Sequence, residues 1–202
     1  MDETIYDAQK RFQEKLAFGQ VAEWQIEVWL RHTAKCCVLP VREGGRDNKG
    51  PRLFLPKGEL IAPDMLAIRG KDIRWIEAKH KTVFSWYHNG QRWETGIDLH
   101  AFEQYRQIAQ MTPWPVWLLF LHSEAYGDKA DEPYPCPVGL FGNDLNELSK
   151  PENISHKWKP QKAKDREYSR SGMIYWSPDN LKLIASLEDV EMAAAEMKNA
   201  AA

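Results

Sequence analysis

Apolar positions along the chain change period several times, and each change marks an element. From 4 to about 34 they recur at helical spacing through Phe18, Val21, Ala22, Ile26, Trp29 and Leu30. This predicts one long helix, or two joined near Gly19. Residues 36–41 read as a first strand, with Pro40 at an edge or a strand end. Residues 42–59 carry Gly44, Gly45, Gly50, Pro51, Pro56 and Gly58 among several Lys and Arg, which predicts a long basic loop. Such a loop suits wrapping a phosphate backbone, and equally suits plain solvation. Between 60 and 81 the period becomes two, giving strands at about 60–69 and 72–81. The turn at Gly70 and Lys71 is of the primed kind, which needs positive φ at its first central position.

Further along, His88 to Gly90 mark a turn between two aromatic arms, a second hairpin. Residues 98–110 form a helix capped by Asp98, with Leu99, Phe102, Tyr105 and Ile108 as its apolar stripe. The continuous apolar run 116–122 suits a buried strand. Residues 127–137 are a Pro-rich, charged loop, 138–141 a short strand and 143–149 a helical turn. Residues 156–170 are strongly basic without a core pattern, and read as a solvated face or a DNA-contacting arm. A last strand spans 172–176. Ser177 and Pro178 then open a helix, and the Ala-rich stretch 190–202 continues it or frays. The order is helix, three strands, helix, strand, followed by a strand-helix extension.

A chain of 202 residues with 43% hydrophobic and 28% charged positions is long enough for one well-cored domain and too apolar to be disordered. We read 1–202 as a single domain, with a core at about 4–122 and an extension at about 123–202. The net charge of −2 means that any surface for nucleic acid must be local. Cys36, Cys37 and Cys136 form no CxxC pair and no zinc spacing, which fits a reduced, cytoplasmic protein. The N-terminus lacks the pattern of a signal peptide, and no apolar run reaches membrane-spanning length.

The candidate chemistry lies in the 60–81 hairpin. A two-residue turn sets Arg69 opposite Asp72, Ile68 opposite Ile73, Leu66 opposite Trp75 and Asp64 opposite Glu77. Asp64, Glu77 and Lys79 then share a face with Leu66, Ile68, Ile73 and Trp75, and the carboxylates stand ~5 Å apart at Cβ. Facing carboxylates are unfavourable without compensation, which a hard divalent cation provides. Lys79 is placed to hold or polarise a water. The same spacing also describes a solvated hairpin whose charges keep it soluble.

Pro63-Asp64, followed thirteen residues on by Glu77-Ala78-Lys79 at the end of an apolar strand, resembles the signature of the PD-(D/E)XK nuclease superfamily. The αβββαβ order agrees with it. Gly19, Glu23 and Leu30, ahead of a strand, resemble the first helix of archaeal-type Holliday junction resolvases. The resemblance implies an α/β restriction-endonuclease-like fold, with a mixed central sheet flanked by helices. It implies a Mg²⁺-dependent DNA endonuclease, with Mn²⁺ able to substitute, leaving 5′-phosphate and 3′-hydroxyl ends. Asp64, Glu77 and the Ala78 carbonyl would hold the metal, joined by Glu23 in preference to Glu27, with Lys79 orienting the attacking water. Junction resolvases act as dimers, so the implied partners are DNA and a second copy, without membrane or nucleotide cofactor.

For DNA contact the residues to weigh are Lys81, Trp86, Arg92, Gln104, Lys157 and Lys159, which combine charge or amide groups with π faces. The helix after the ExK strand commonly adds a Gln and a Tyr in this superfamily. Gln104 and Tyr105 are the nearest candidates, although they lack the Gln-x₃-Tyr spacing, and His100 lies one turn before them. The alternative functional class is a non-catalytic nucleic-acid-binding or assembly module on the same fold.

Overall fold

The computed structural model describes residues 19–41, 51–129, 132–158 and 172–200. The first part of the N-terminal helix, most of the basic loop, and residues 159–171 of the basic arm, including Lys159, lie outside the described residues.

Helix α1 covers 19–32 and leads into β1 (Cys37–Pro40). Next come a short ribbon, β2 (Arg52–Leu55) and β3 (Gly58–Ile61), and the hairpin of β4 (Met65–Arg69) and β5 (Asp72–Lys81). The aromatic hairpin is β6 (Ser85–Tyr87) and β7 (Arg92–Asp98), which runs into α2 (Leu99–Met111) and β8 (Val116–His122). The C-terminal part adds β9 (Gly139–Asp144), α3 (Leu145–Leu148), β10 (His156–Trp158), β11 (Met173–Trp176), β12 (Lys182–Ala185) and α4 (Leu187–Ala200).

Six strands form the central sheet in the order β1-β4-β5-β8-β9-β12. Only β5 and β8 run parallel; the other neighbours are antiparallel. The sheet is therefore mixed, and its helix-strand-strand-strand-helix-strand core is the arrangement expected from the sequence. A second sheet, β10-β11-β7-β6, packs Ile97, Ile174 and Trp176 into the same core as α2.

The two faces of the central sheet are filled separately, as the period of two requires. Leu66, Trp75, Leu118 and Phe120 meet Phe102, Tyr105 and Ile108 of α2. Met65, Ala67, Ile76, Ala78 and Leu119 meet Ile26, Trp29 and Leu30 of α1 and Val190 and Ala193 of α4. Among the described residues, no helix is long and apolar enough to cross a membrane.

Two expectations need correction. Part of the stretch read as loop, 51–59, holds β2 and the first half of β3, paired from Arg52↔Ile61 to Leu55↔Gly58, and the strand expected at about 60–69 divides into the end of β3 and β4. The two-residue turn at Pro56 and Lys57, with Gly58 at φ +101°, explains why Pro and Gly there mark a hairpin. The second concerns Ser177 and Pro178, which open only a 3₁₀ turn (Pro178–Asn180). A strand, β12, follows, and α4 starts after Ser186. The Ser186 hydroxyl accepts from the Asp189 N–H (3.0 Å) and Asp189 Oδ2 accepts from the Ser186 N–H (3.3 Å), a reciprocal cap that carries the helix start.

Candidate active site

The hairpin is built as its turn requires. Gly70 has φ +63°, and the rungs run Arg69↔Asp72, Ile68↔Ile73, Leu66↔Trp75 and Met65↔Ile76. The ladder stops there. Pro63, which has no N–H, lies two residues beyond the last rung. The Asp64 carboxylate takes over, its Oδ2 accepting the Ala78 N–H at 2.8 Å, while the Asp64 carbonyl accepts the Val41 N–H at 2.8 Å. Asp64 is thus pinned to β5 by its side chain and to the end of β1 by its main chain.

Glu77 is 1% exposed and sits beside Lys79, whose ammonium contacts its Oε1. Beyond that ion pair, neither Glu77 oxygen has a partner in strict hydrogen-bond geometry. Burial, and then the Glu77 charge, push the Asp64 carboxyl well above the ordinary carboxylate range; Lys79 and the Ala78 N–H oppose this without cancelling it. Burial pulls the Lys79 ammonium down, but Glu77 and Asp64 outweigh it, so the net shift is upward and Lys79 stays charged. Two carboxyl groups thus crowd one half-buried space and share a single ammonium, which sits against Glu77.

Glu23 on α1 acts on both Asp64 and Lys79 electrostatically, raising each pKa, so the first helix brings this residue within electrostatic range of the site. Among the described residues, no three acidic, His or Cys side chains already stand close enough to chelate an ion. The pair alone fits a hard divalent cation, because two crowded carboxylates share a single ammonium and a cation with oxygen ligands supplies the missing positive charge.

Helix α2 addresses the pair from the other side. Asp98 caps it, accepting from the N–H groups of His100 and Ala101, and its stripe drives Tyr105 into the core. Burial, followed by Glu77 and Asp64, raises the Tyr105 phenol well above its usual value, so the neutral hydroxyl faces the carboxylates as a donor. Gln104 is engaged differently: its Oε1 accepts the Ile61 N–H and its Nε2 meets His100 Nε2 at 2.6 Å. Adjacent residues of one helix turn therefore hold the segment leading into Asp64 and approach Glu77.

The remaining candidates are spread out. Lys81 lies on the Glu77–Lys79 row two residues further on, half-buried, its pKa lowered by burial and by Lys79. Trp86 packs edge-on against Trp93, with centroids 5.1 Å apart. Arg92 is committed to Glu94 at 3.0 Å and to the Ser155 carbonyl at 2.8 Å. Lys157 is exposed on β10. The charged residue at the centre of that second sheet was not anticipated: Glu94, 2% exposed, also pairs with His156 at 2.8 Å. The alternation of Arg92 and Glu94 along one strand is its only sequence signal. His122, fully buried and stacked on Phe84 at 3.6 Å, was missed too, since an apolar run gives no sign that its last residue is covered.

Neither a protein-family model nor a curated protein matches this chain. Among solved structures it is similar to Hjc of Archaeoglobus fulgidus, a Holliday junction resolvase from an archaeal hyperthermophile. The identity is 14% and the TM-score 0.45, over 87% of this chain and 99% of that one. It is also similar to D212, a nuclease from a fusselovirus, at 14% identity and TM-score 0.38, over 88% of this chain and 89% of that one.

Proposed function

We propose that this protein is a metal-dependent DNA endonuclease that hydrolyses phosphodiester bonds, with branched or junction DNA as the substrate to test first. The observation that carries this reading is the Asp64–Glu77 pair, donated by adjacent strands, with the Lys79 ammonium against it. Asp64, Glu77 and the Ala78 carbonyl would hold Mg²⁺ or Mn²⁺, with Glu23 entering from α1. When bound, the cation supplies Lewis-acid stabilisation of the phosphoryl oxygens and makes a nearby water more acidic.

The chain's own residues do the rest. Lys79, kept protonated by its two carboxylate neighbours, orients the attacking water and offsets negative charge on the phosphorane-like transition state. Tyr105, held neutral, donates toward Glu77 and fixes the direction of its oxygens. Gln104 anchors Ile61 and so the backbone that presents Asp64. Lys81, further along the same strand face, is placed for a neighbouring phosphate of the substrate.

The test is cleavage of linear, nicked, flapped and four-way DNAs with Mg²⁺ or Mn²⁺. Asp64→Asn and Glu77→Gln should each lower kcat by roughly 10²–10³-fold, the order seen when a transition-state charge stabiliser is lost. Full activity in both variants refutes the assignment. A wild-type protein that binds these DNAs and cuts none supports the non-catalytic module instead.

A further inference from the structure

The back of the central sheet, facing away from Glu77 and Lys79, carries an open cavity of about 210 Å³ near the β4–β5 turn. Its walls are apolar: Trp29 of α1, Ala67, Ile76, Trp117, Leu119 and Ile184. Its rim is cationic. Arg74 lies 4.8 Å over the Trp117 ring and Lys182 lies 5.6 Å from the same ring. Among the described residues, the only carboxylate lining the cavity is Asp72, already held by the Arg74 guanidinium at 2.9 and 2.6 Å. Arg69 stands opposite Asp72 in the ladder, is exposed, and forms no ion pair among the described residues.

Size and charge together select the occupant. Small-molecule sites usually enclose ~300–1,000 Å³, so this cavity is scant for a free ligand and well matched to one large side chain. Interface hot spots have this form, an anchor side chain in a desolvated pocket with charge around its edge. A surplus of positive charge with one unpaired guanidinium calls for acidic groups beside the anchor. We infer that the cavity is a docking point for a protein partner that inserts one aromatic or large aliphatic side chain flanked by Asp or Glu. The site lies across the sheet from the carboxylate pair, so a partner seated there leaves the candidate active site open. The inference stands whether or not the chain cuts DNA.

The probe is a fluorescein-labelled pentapeptide, Glu-Asp-Phe-Asp-Glu, titrated with the full chain and followed by fluorescence anisotropy. Saturable binding is expected, weakened by salt and weakened about tenfold or more when the peptide's Phe is replaced by Ala. Arg69→Gln, at the exposed end of β4, should weaken binding severalfold with a nearly unchanged Tm. Ala34→Phe, which fills the cavity from its half-buried rim, should abolish binding. No saturation into the millimolar range overturns the proposal, and so does equal affinity for the Ala peptide. A wild-type dimer that Ala34→Phe dissociates also overturns it, since the occupant is then a second copy.

Discussion

Asp64 is held where its charge is least comfortable. Its pKa is raised by burial and by Glu77, so between the ordinary Asp value of 3.8 and the raised native value the folded chain binds more protons than the unfolded one. Stability therefore falls as pH rises through that window, and ionising the pair works against the fold. Asp64→Asn keeps an oxygen for the Ala78 N–H and removes the repulsion. It should raise stability by on the order of 1 kcal/mol, or roughly 2–4 °C in Tm for a chain of this length, while destroying cleavage. Mg²⁺ should raise the Tm of the wild type by mass action and leave Asp64→Asn unmoved. Thermal scans with and without Mg²⁺ check both statements. A variant less stable than the wild type, or equal Mg²⁺ responses in the two, would contradict this account of the site.

At the scale of elements, a glycine decides how two strands of the second sheet pair. Gly96 sits opposite Tyr175, and a Cβ there would stand 2.3 Å from the Ile174 carbonyl oxygen and 2.7 Å from the Tyr175 ring. The first contact is with backbone, so β11 would have to move. Gly96→Ala should cost ~2–3 kcal/mol and open the β7–β11 pairing before the central sheet. Hydrogen exchange should show lost protection at 92–98 and 173–176 with 116–122 retained; uniform loss would mean that the two sheets unfold as one unit.

Elements were legible where one local signal dominated. The Gly70 turn set the register of β4 and β5, and with it the meeting of Asp64 and Glu77. Asp98 and its stripe set α2, and the apolar run set β8. Legibility failed where local signals conflicted. Lys182–Ala185 has a register shift between Leu183 and Ala185 that breaks its alternation, and it follows a Ser-Pro pair that imitates a helix start. The pairing of β11 with β7 is a contact between distant segments that no local pattern encodes. For the site, the Asp64, Glu77 and Lys79 row followed from strand period alone. The engagement of Arg92 with Glu94 and Ser155 depended on β10, whose place in the second sheet the sequence does not reveal.

For the molecule as a whole, part of the pH dependence of folding comes from a ring at the end of β8. His122 is fully buried against Phe84, Phe120 and Phe141 and pairs in register with Lys81. Burial, then Lys81, lower its pKa from 6.5 to about 3; the Val83 main chain pulls weakly the other way, and neither ring nitrogen finds a partner in strict geometry. The unfolded chain thus binds a proton that the folded chain refuses between about pH 6.5 and about pH 3. The stability from this group is fully present above 6.5 and is lost on acidification at roughly 1.4 kcal/mol per pH unit. Asp64 contributes with the opposite sign, so the total slope does not isolate His122, whereas a difference between variants does. His122→Phe preserves a ring against Phe84 and sacrifices no strict hydrogen bond. Denaturant midpoints measured from pH 7.5 to pH 4 should therefore show the variant falling less steeply, by about that amount per unit below pH 6. Parallel curves would mean that His122 takes up its proton inside the fold, and that the Lys81–His122 end of the sheet is open to water.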